Sequence, residues 1–263
     1  MRETSFLDAY KPAQIAQLIE TVGVNKAKLP AAQMLVLAIL AGAFIGFGAA
    51  AYTAVMTGAD ASFGPSRLLG GIVFSLGLIL VIVGGAELFT GNALMVMAAV
   101  DKRISVRLLL RNWVIVYFGN LVGALALASA FGLSGVLDQS MGKTAVALAE
   151  AKAALPVFDA FTRGILCNAL VCLAIWLTFA ARTVAGKILA ILWPVSVFVL
   201  LGLEHSVANM FFFPQAWAAG AQVSLAAAST NLLFVTMGNV VGGGIGVAVA
   251  YRFAYLSSEN QNE

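Results

Sequence analysis

Leu68–Val100 reads LLGGIVFSLGLILVIVGGAELFTGNALMVMAAV. Its first nineteen residues, Leu68 to Ala86, carry no charge, and roughly 20 apolar residues span the hydrocarbon of a bilayer. Glu87 then interrupts the run, Thr90 and Gly91 follow, and a short apolar piece from Ala93 to Val100 completes it. That order reads as a broken helix. Non-helical backbone at membrane depth is tolerated only where protein buries it or where it lines a cavity, so the break marks a pathway through the membrane.

The rest of the chain agrees with this reading. Of its 263 residues 61% are hydrophobic and 10% charged, and the mean hydropathy of +0.96 excludes a soluble globular protein. Uncharged stretches also run from Leu29 to Ala59, Asn112 to Leu137, Gly164 to Ala181, Ile188 to Leu203 and Ser206 to Tyr251. The ten-residue alternation of a membrane β-barrel is missing, so the backbone is satisfied inside helices and the fold class is all-α. Six transmembrane segments are predicted: 31–56, 68–100, 107–132, 157–181, 187–218 and 223–255. The fifteen Lys and Arg are scattered through loops, which excludes nucleic acid as a partner. Cys167 and Cys172 share one apolar run, with no thiol or metal spacing, and read as buried packing residues. No metal or cofactor site is expected.

Six spans put both ends on one side, and the distribution of Lys and Arg says which. With cytoplasmic ends, eleven lie inside (Arg2, Lys11, Lys26, Lys28, Lys102, Arg103, Arg107, Arg111, Arg182, Lys187, Arg252) against four outside (Arg67, Lys143, Lys152, Arg163). The expected organisation is a cytoplasmic segment 1–30, a transmembrane pore domain 31–256 and a cytoplasmic tail 257–263. Residues 1–28 are polar and mildly amphipathic rather than signal-like, so the N-terminus is expected to be retained. Ile15, Leu18, Ile19 and Val22 recur at helical spacing and predict a short helix along the inner membrane face, a brace or a gate.

The break has a second copy. Glu87-Leu88-Phe89-Thr90-Gly91-Asn92 matches Glu204-His205-Ser206-Val207-Ala208-Asn209 at an offset of 117, and Phe118–Gly123 matches Met237–Gly242 at 119. Three segments per repeat force the halves to cross in opposite senses, an inverted repeat of 31–132 on 157–255 with segments two and five broken. Both short half-helices then aim their N-termini at the midplane, where the partial positive charge and free N–H groups favour a small anion.

His205 is the only histidine, and with Glu87 and Glu204 it forms the ionisable set at membrane depth, functional by default. Near neutral pH it can pair with an anion or exchange a proton with it. The glutamates read as supports that accept hydrogen bonds from freed backbone N–H groups, and Glu204 also stands to orient the imidazole. Asn168 and Asn239 are each either an interhelical hydrogen bond or a pathway ligand. The GxxxG spacings Gly42/Gly46, Gly119/Gly123 and Gly238/Gly242/Gly246 indicate tight helix crossings. Phe74, Leu78, Leu88, Phe89 and Phe198 are either core or an apolar constriction beside the pore. Lys143 and Lys152 fall in the loop between segments three and four, solvated or steering anions. An intramembrane enzyme built on His205 and Glu204 lacks a Ser-His dyad, an HExxH motif and paired aspartates; a pore for water or neutral solutes is a further alternative.

The combination Gly-Ala-Glu-Leu-Phe-Thr-Gly-Asn (85–92), Arg-Gly-Ile-Leu-Cys-Asn (163–168) and Glu-His-Ser-Val-Ala-Asn-Met (204–210) resembles the formate/nitrite transporter family over nearly the whole chain. The resemblance implies an aquaporin-like homopentamer in the inner membrane, each protomer passing small monovalent anions such as formate, nitrite or hydrosulfide. It also implies roles: His205 as the central histidine with Asn168 and Thr90 beside it, Lys152 at the outer vestibule, and Glu204 and Asn239 near the histidine. Phe74, Leu78, Leu88, Phe89, Val171 and Phe198 are implied as the constriction. Gly91, at the break where Glu87 is read as a support, departs from the Ser that some channels of the family carry after the Thr.

Overall fold

The computed structural model describes residues 9–256; the expectations for residues 1–8 and for the tail 257–263 lie outside them. The regular structure of the described residues is helical, with an isolated bridge between Ala9 and Ala181. The predicted amphipathic segment is α1 (Pro12–Ala27), with Pro12 in its first turn, where a missing N–H costs nothing. Ile15, Ala16 and Ile19 are buried on its inward side. Next come α2 (Ala31–Met56) and α3 (Gly64–Gly84). The latter starts four residues before the expected boundary because Pro65 sits in its first turn.

At Gly85 the chain takes φ +83, a left-handed conformation that costs glycine little, and α3 ends there. Irregular backbone follows, then a tight helical turn over Gly91–Met95 that leads into α4 (Val96–Val100). Further along lie α5 (Val106–Leu133), α6 (Ser140–Ala153), α7 (Val157–Ala180) and α8 (Val184–Leu200). Gly202, at φ +68, carries the second interruption, after which His205 opens α9 (Ser206–Ala218). The chain closes with α10 (Leu225–Val240), a π-helical stretch over Val241–Val249, and α11 (Ala250–Tyr255).

Five helical stretches of 21 to 31 residues are long and apolar enough to cross a membrane, α2, α3, α5, α7 and the continuous run Leu225–Tyr255, while Gly91–Val100 and Val184–Leu200 are shorter apolar pieces. The glycine pairs work as spacers. A Cβ on Gly42 would collide with the Asn120 carbonyl, one on Gly123 with that of Ile39, and one on Gly242 with that of Ile165. Thus α2 meets α5, and α7 meets the Leu225–Tyr255 run, at backbone contact. One local expectation is corrected: the segment holding Lys143 and Lys152 is not a loop but α6, whose Ala145 and Ala149 are buried while its polar residues mask the periodicity.

Candidate functional site

Each interruption exposes backbone groups that a helix would have paired, and in each case one buried asparagine binds two of them. Asn120 Oδ1 accepts from Phe89 N–H (2.9 Å), and its Nδ2 donates to the Glu87 carbonyl (2.9 Å) and the Ala38 carbonyl (2.8 Å). Asn239 repeats the pattern: Oδ1 accepts from Ser206 N–H (2.9 Å), and Nδ2 donates to the Glu204 carbonyl (3.0 Å) and the Gly164 carbonyl (2.8 Å). The expected backbone partners of the glutamates therefore belong to the asparagines.

The carboxylates are held by side chains instead. Glu87 accepts from Lys26 Nζ (2.8 Å) and Asn92 Nδ2 (2.7 Å), and Asn92 also donates to Asn112 Oδ1 (2.8 Å). Glu204 accepts from Lys152 Nζ (2.8 Å) and Asn209 Nδ2 (2.7 Å), and Asn209 donates to Asn231 Oδ1 (2.8 Å). Sequence reasoning assigns no site role to Lys26, Asn92, Asn112, Asn120, Asn209 or Asn231. The Asn112/Asn231 pair repeats at the same offset of 119 as Asn120/Asn239 and was readable on that ground.

His205 has no counterpart in the first copy, where Leu88 takes its place. As the cap of α9, its Nδ1 accepts from Ala208 N–H (3.1 Å), which puts the hydrogen of a neutral ring on Nε2. Nε2 faces Thr90 Oγ1 at 2.9 Å. Asn168 Nδ2 donates to the Thr90 carbonyl (3.1 Å) and the Asn239 carbonyl (2.6 Å), tying the first interruption to the second. His205, Thr90, Asn168 and Asn239 are thus joined in one chain of contacts. Asn239 supports it from below without a contact to the ring. Cys167 and Cys172 are buried free thiols, and Cys172 lies beside the Thr90 carbonyl.

Three spaces follow one another. On the Lys152 side a cavity of about 240 Å³ is bounded by Lys152, Glu204, Arg67, Arg163, Phe212 and His205. Next is a chamber of about 10 Å³ lined by Phe74, Leu78, Leu88, Val171, Phe198 and His205, with Ile45 and Val195. The imidazole is the only polar side chain on its wall. Phe74 and Phe198 meet edge to face (centroids 5.6 Å apart, 83°) at the boundary between these two spaces, and Phe198 stacks on His205 at 6.1 Å. Beyond Leu88 a cavity of about 80 Å³ opens on the Lys26 side, where Gly91 and Asn92 line the wall. A side chain on Gly91 would press on Ile175.

Phe89 does not join the chamber. The turn at Phe89 and Thr90 carries the Phe89 ring away from the chamber that Leu88 lines, and it packs on Trp113 (6.1 Å) and Tyr117 (5.0 Å) of α5.

A helical membrane protein with an apolar pathway, narrow around a single histidine and flanked by a lysine–glutamate pair on each side, is a transporter or channel by class. Residues 13–253 match the sequence model of the formate/nitrite transporter family, and the chain belongs to that family. It is 36% identical to the formate channel FocA of Escherichia coli (strain K12), with all of both chains covered. It is 40% identical to a probable formate transporter of Methanothermobacter thermautotrophicus, with 93% of this chain and 97% of the relative covered. A solved pentameric formate channel with formate bound is 39% identical and superposes with a TM-score of 0.79, covering 86% of this chain and 98% of that one.

Proposed function

We propose that this protein passes small monovalent anions, with formate the leading substrate, through one pathway in each protomer of a homopentamer in the inner membrane. The observation that carries the reading is His205, alone among apolar walls at the narrowest space and hydrogen-bonded to Thr90 of the first interruption. The likeness to a pentameric formate-bound channel at 39% identity supports the substrate and the assembly. The two matching Asn–Glu–Lys networks support six spans in an inverted 3+3 repeat, 31–132 on 157–255, with the second and fifth broken. Both ends are then cytoplasmic, the Lys26 cavity opens inward and the Lys152 cavity outward.

A bare anion in the chamber is costly because nothing there replaces its hydration. Lys152, offset by Glu204, draws the anion to the mouth. At the chamber, protonated His205 gives up a proton to formate, leaving neutral imidazole and formic acid, and the acid crosses the Leu88 side uncharged. A second proton on the ring must sit at Nδ1 and displaces the Ala208 N–H bond, so handing it on restores the cap of α9. Thr90 and Asn168 hold the ring to the first interruption, and Phe74, Leu78, Leu88, Val171 and Phe198 form the constriction.

The test is flux of formate, nitrite, hydrosulfide and lactate into proteoliposomes over a range of external pH, for wild type and His205→Asn. Formate uptake should rise as pH falls and lose at least tenfold at low pH in the variant. Equal, pH-independent flux of all four anions, or proton-linked uptake unchanged in the variant, rejects the mechanism; preference for nitrite or hydrosulfide moves the substrate within the family.

A further inference from the structure

The cavity on the Lys152 side carries more positive charge than its lysine accounts for. Its wall holds Arg67, Lys152 and Arg163 against one carboxylate, Glu204, and that carboxylate is already taken by Lys152 and Asn209. Arg163 makes only a long bond of 3.5 Å to the Gly202 carbonyl. The Arg67 side chain makes no hydrogen bond or ion pair among the described residues, and its Nη2 lies 2.5 Å from where a Cβ on Gly202 would stand. Both guanidinium groups therefore converge on Gly202 without a counterion. On the other side Lys26 is fully engaged by Glu87 and Asn92.

Space and lining narrow the ligand. About 240 Å³ is room for roughly eight waters at about 30 Å³ each, far more than formate displaces. Apart from His205 at the chamber end, the remaining walls are largely apolar, with Leu148, Leu155, Phe212 and the ring of Tyr52 among them. A guanidinium presents a planar fork of donors that fits a carboxylate with two parallel bonds, which an ammonium does not.

We infer that Arg67 and Arg163 form a carboxylate-binding site around Gly202 for monocarboxylates with an apolar body too wide to pass Phe74 and Phe198. Such a ligand docks its carboxylate on the arginines, lays its body against Tyr52 and Phe212, and blocks the mouth. The binding site stands on the cavity itself; the blocking rests on the transport reading above.

Benzoate at pH 7.5 is the probe, by calorimetry on the intact solubilised oligomer and as a competitor of formate uptake in proteoliposomes. Wild type should bind one benzoate per protomer and be inhibited by it. Arg67→Gln with Arg163→Gln should weaken both effects at least tenfold, and Lys143→Gln, on the same side but outside the cavity, should change neither. Arg67→Gln alone keeps the test open if the double variant misassembles, since Arg67 makes no bond that folding requires, and it should weaken binding at least threefold. Benzoate binding that survives loss of the arginines, or that falls equally in Lys143→Gln, overturns the site. Lysine replacements at both positions that bind as tightly as wild type also overturn it, because charge without the fork would then suffice. Binding that depends on the arginines in a protein that carries no formate leaves the site standing and removes the transport reading.

Discussion

Asn239 makes three buried hydrogen bonds to backbone, and Asn120 makes its three in the same arrangement at the other interruption. Leaving a buried polar group unpaired costs about 1–3 kcal/mol. Asn239→Ala should therefore destabilise the protein by at least about 2 kcal/mol, which corresponds to roughly 4–8 °C in melting temperature for a chain of this size. Thermal unfolding of the solubilised protein checks this, and a change under 1 °C would refute the supporting role. Asn239 and Asn120 were legible as a repeated motif, but their job was not. Which backbone groups stand open depends on how the chain bends at Gly85 and Gly202, and the bend is visible only in three dimensions. The same bend decides Phe89: Leu88 and Phe89 face different ways at the turn, and sequence alone does not say which faces in.

Helices α1 and α6 lie at opposite ends of the pathway, and each sends one lysine from its last turn to a buried glutamate. Removing one partner of a buried ion pair leaves an uncompensated charge, at a cost of about 3–5 kcal/mol. Lys26→Met should lower stability by that amount, and adding Glu87→Gln should restore most of it. A double-mutant cycle by thermal or chemical unfolding reads the coupling, and additive losses would show that α1 is not fastened through this pair. The sequence marked α1 by its apolar period. It missed α6, because Lys143, Thr144, Glu150 and Lys152 look like loop polarity until Ala145 and Ala149 are seen packed beneath them. Lys26 was missed for a related reason: its partner is 61 residues away.

Across the molecule, the chamber of about 10 Å³ holds at most one water, so passage requires Phe74, Phe198 or Leu88 to give way. Phe198→Ala should admit lactate, raising its flux relative to formate at least fivefold in proteoliposomes; unchanged selectivity would place the constriction elsewhere. A second feature joins the ends of the chain. Arg103 binds buried Glu20 of α1 (2.6 Å), and Arg252 of α11 binds Asp101 (2.6 Å), just after the first interruption. Burial raises the Glu20 pKa above 4.5, the neighbouring Asp101 charge adds to this, and Arg103 opposes it. A raised carboxyl contributes stability that is full below its unfolded value and is lost as pH rises through the folded one. Glu20→Gln imitates the protonated form. Its melting temperature should match wild type near pH 4 and exceed it increasingly toward pH 7; a difference constant with pH would contradict this linkage.

The membrane class, the helical fold, the two interruptions and the presence of a single histidine at the second follow from the sequence by itself, because hydropathy, an isolated charge inside an apolar run and a repeated motif are local signals. Only the tertiary structure decided that Thr90 faces His205, that asparagines rather than glutamates satisfy the opened backbone, that Phe89 turns away, and that Arg67 and Arg163 meet at Gly202. Those are contacts between segments far apart in the chain, set by the glycine-lined crossings that bring α2 onto α5 and α7 onto the Leu225–Tyr255 run. The spacing of residues along one helix carries no record of them.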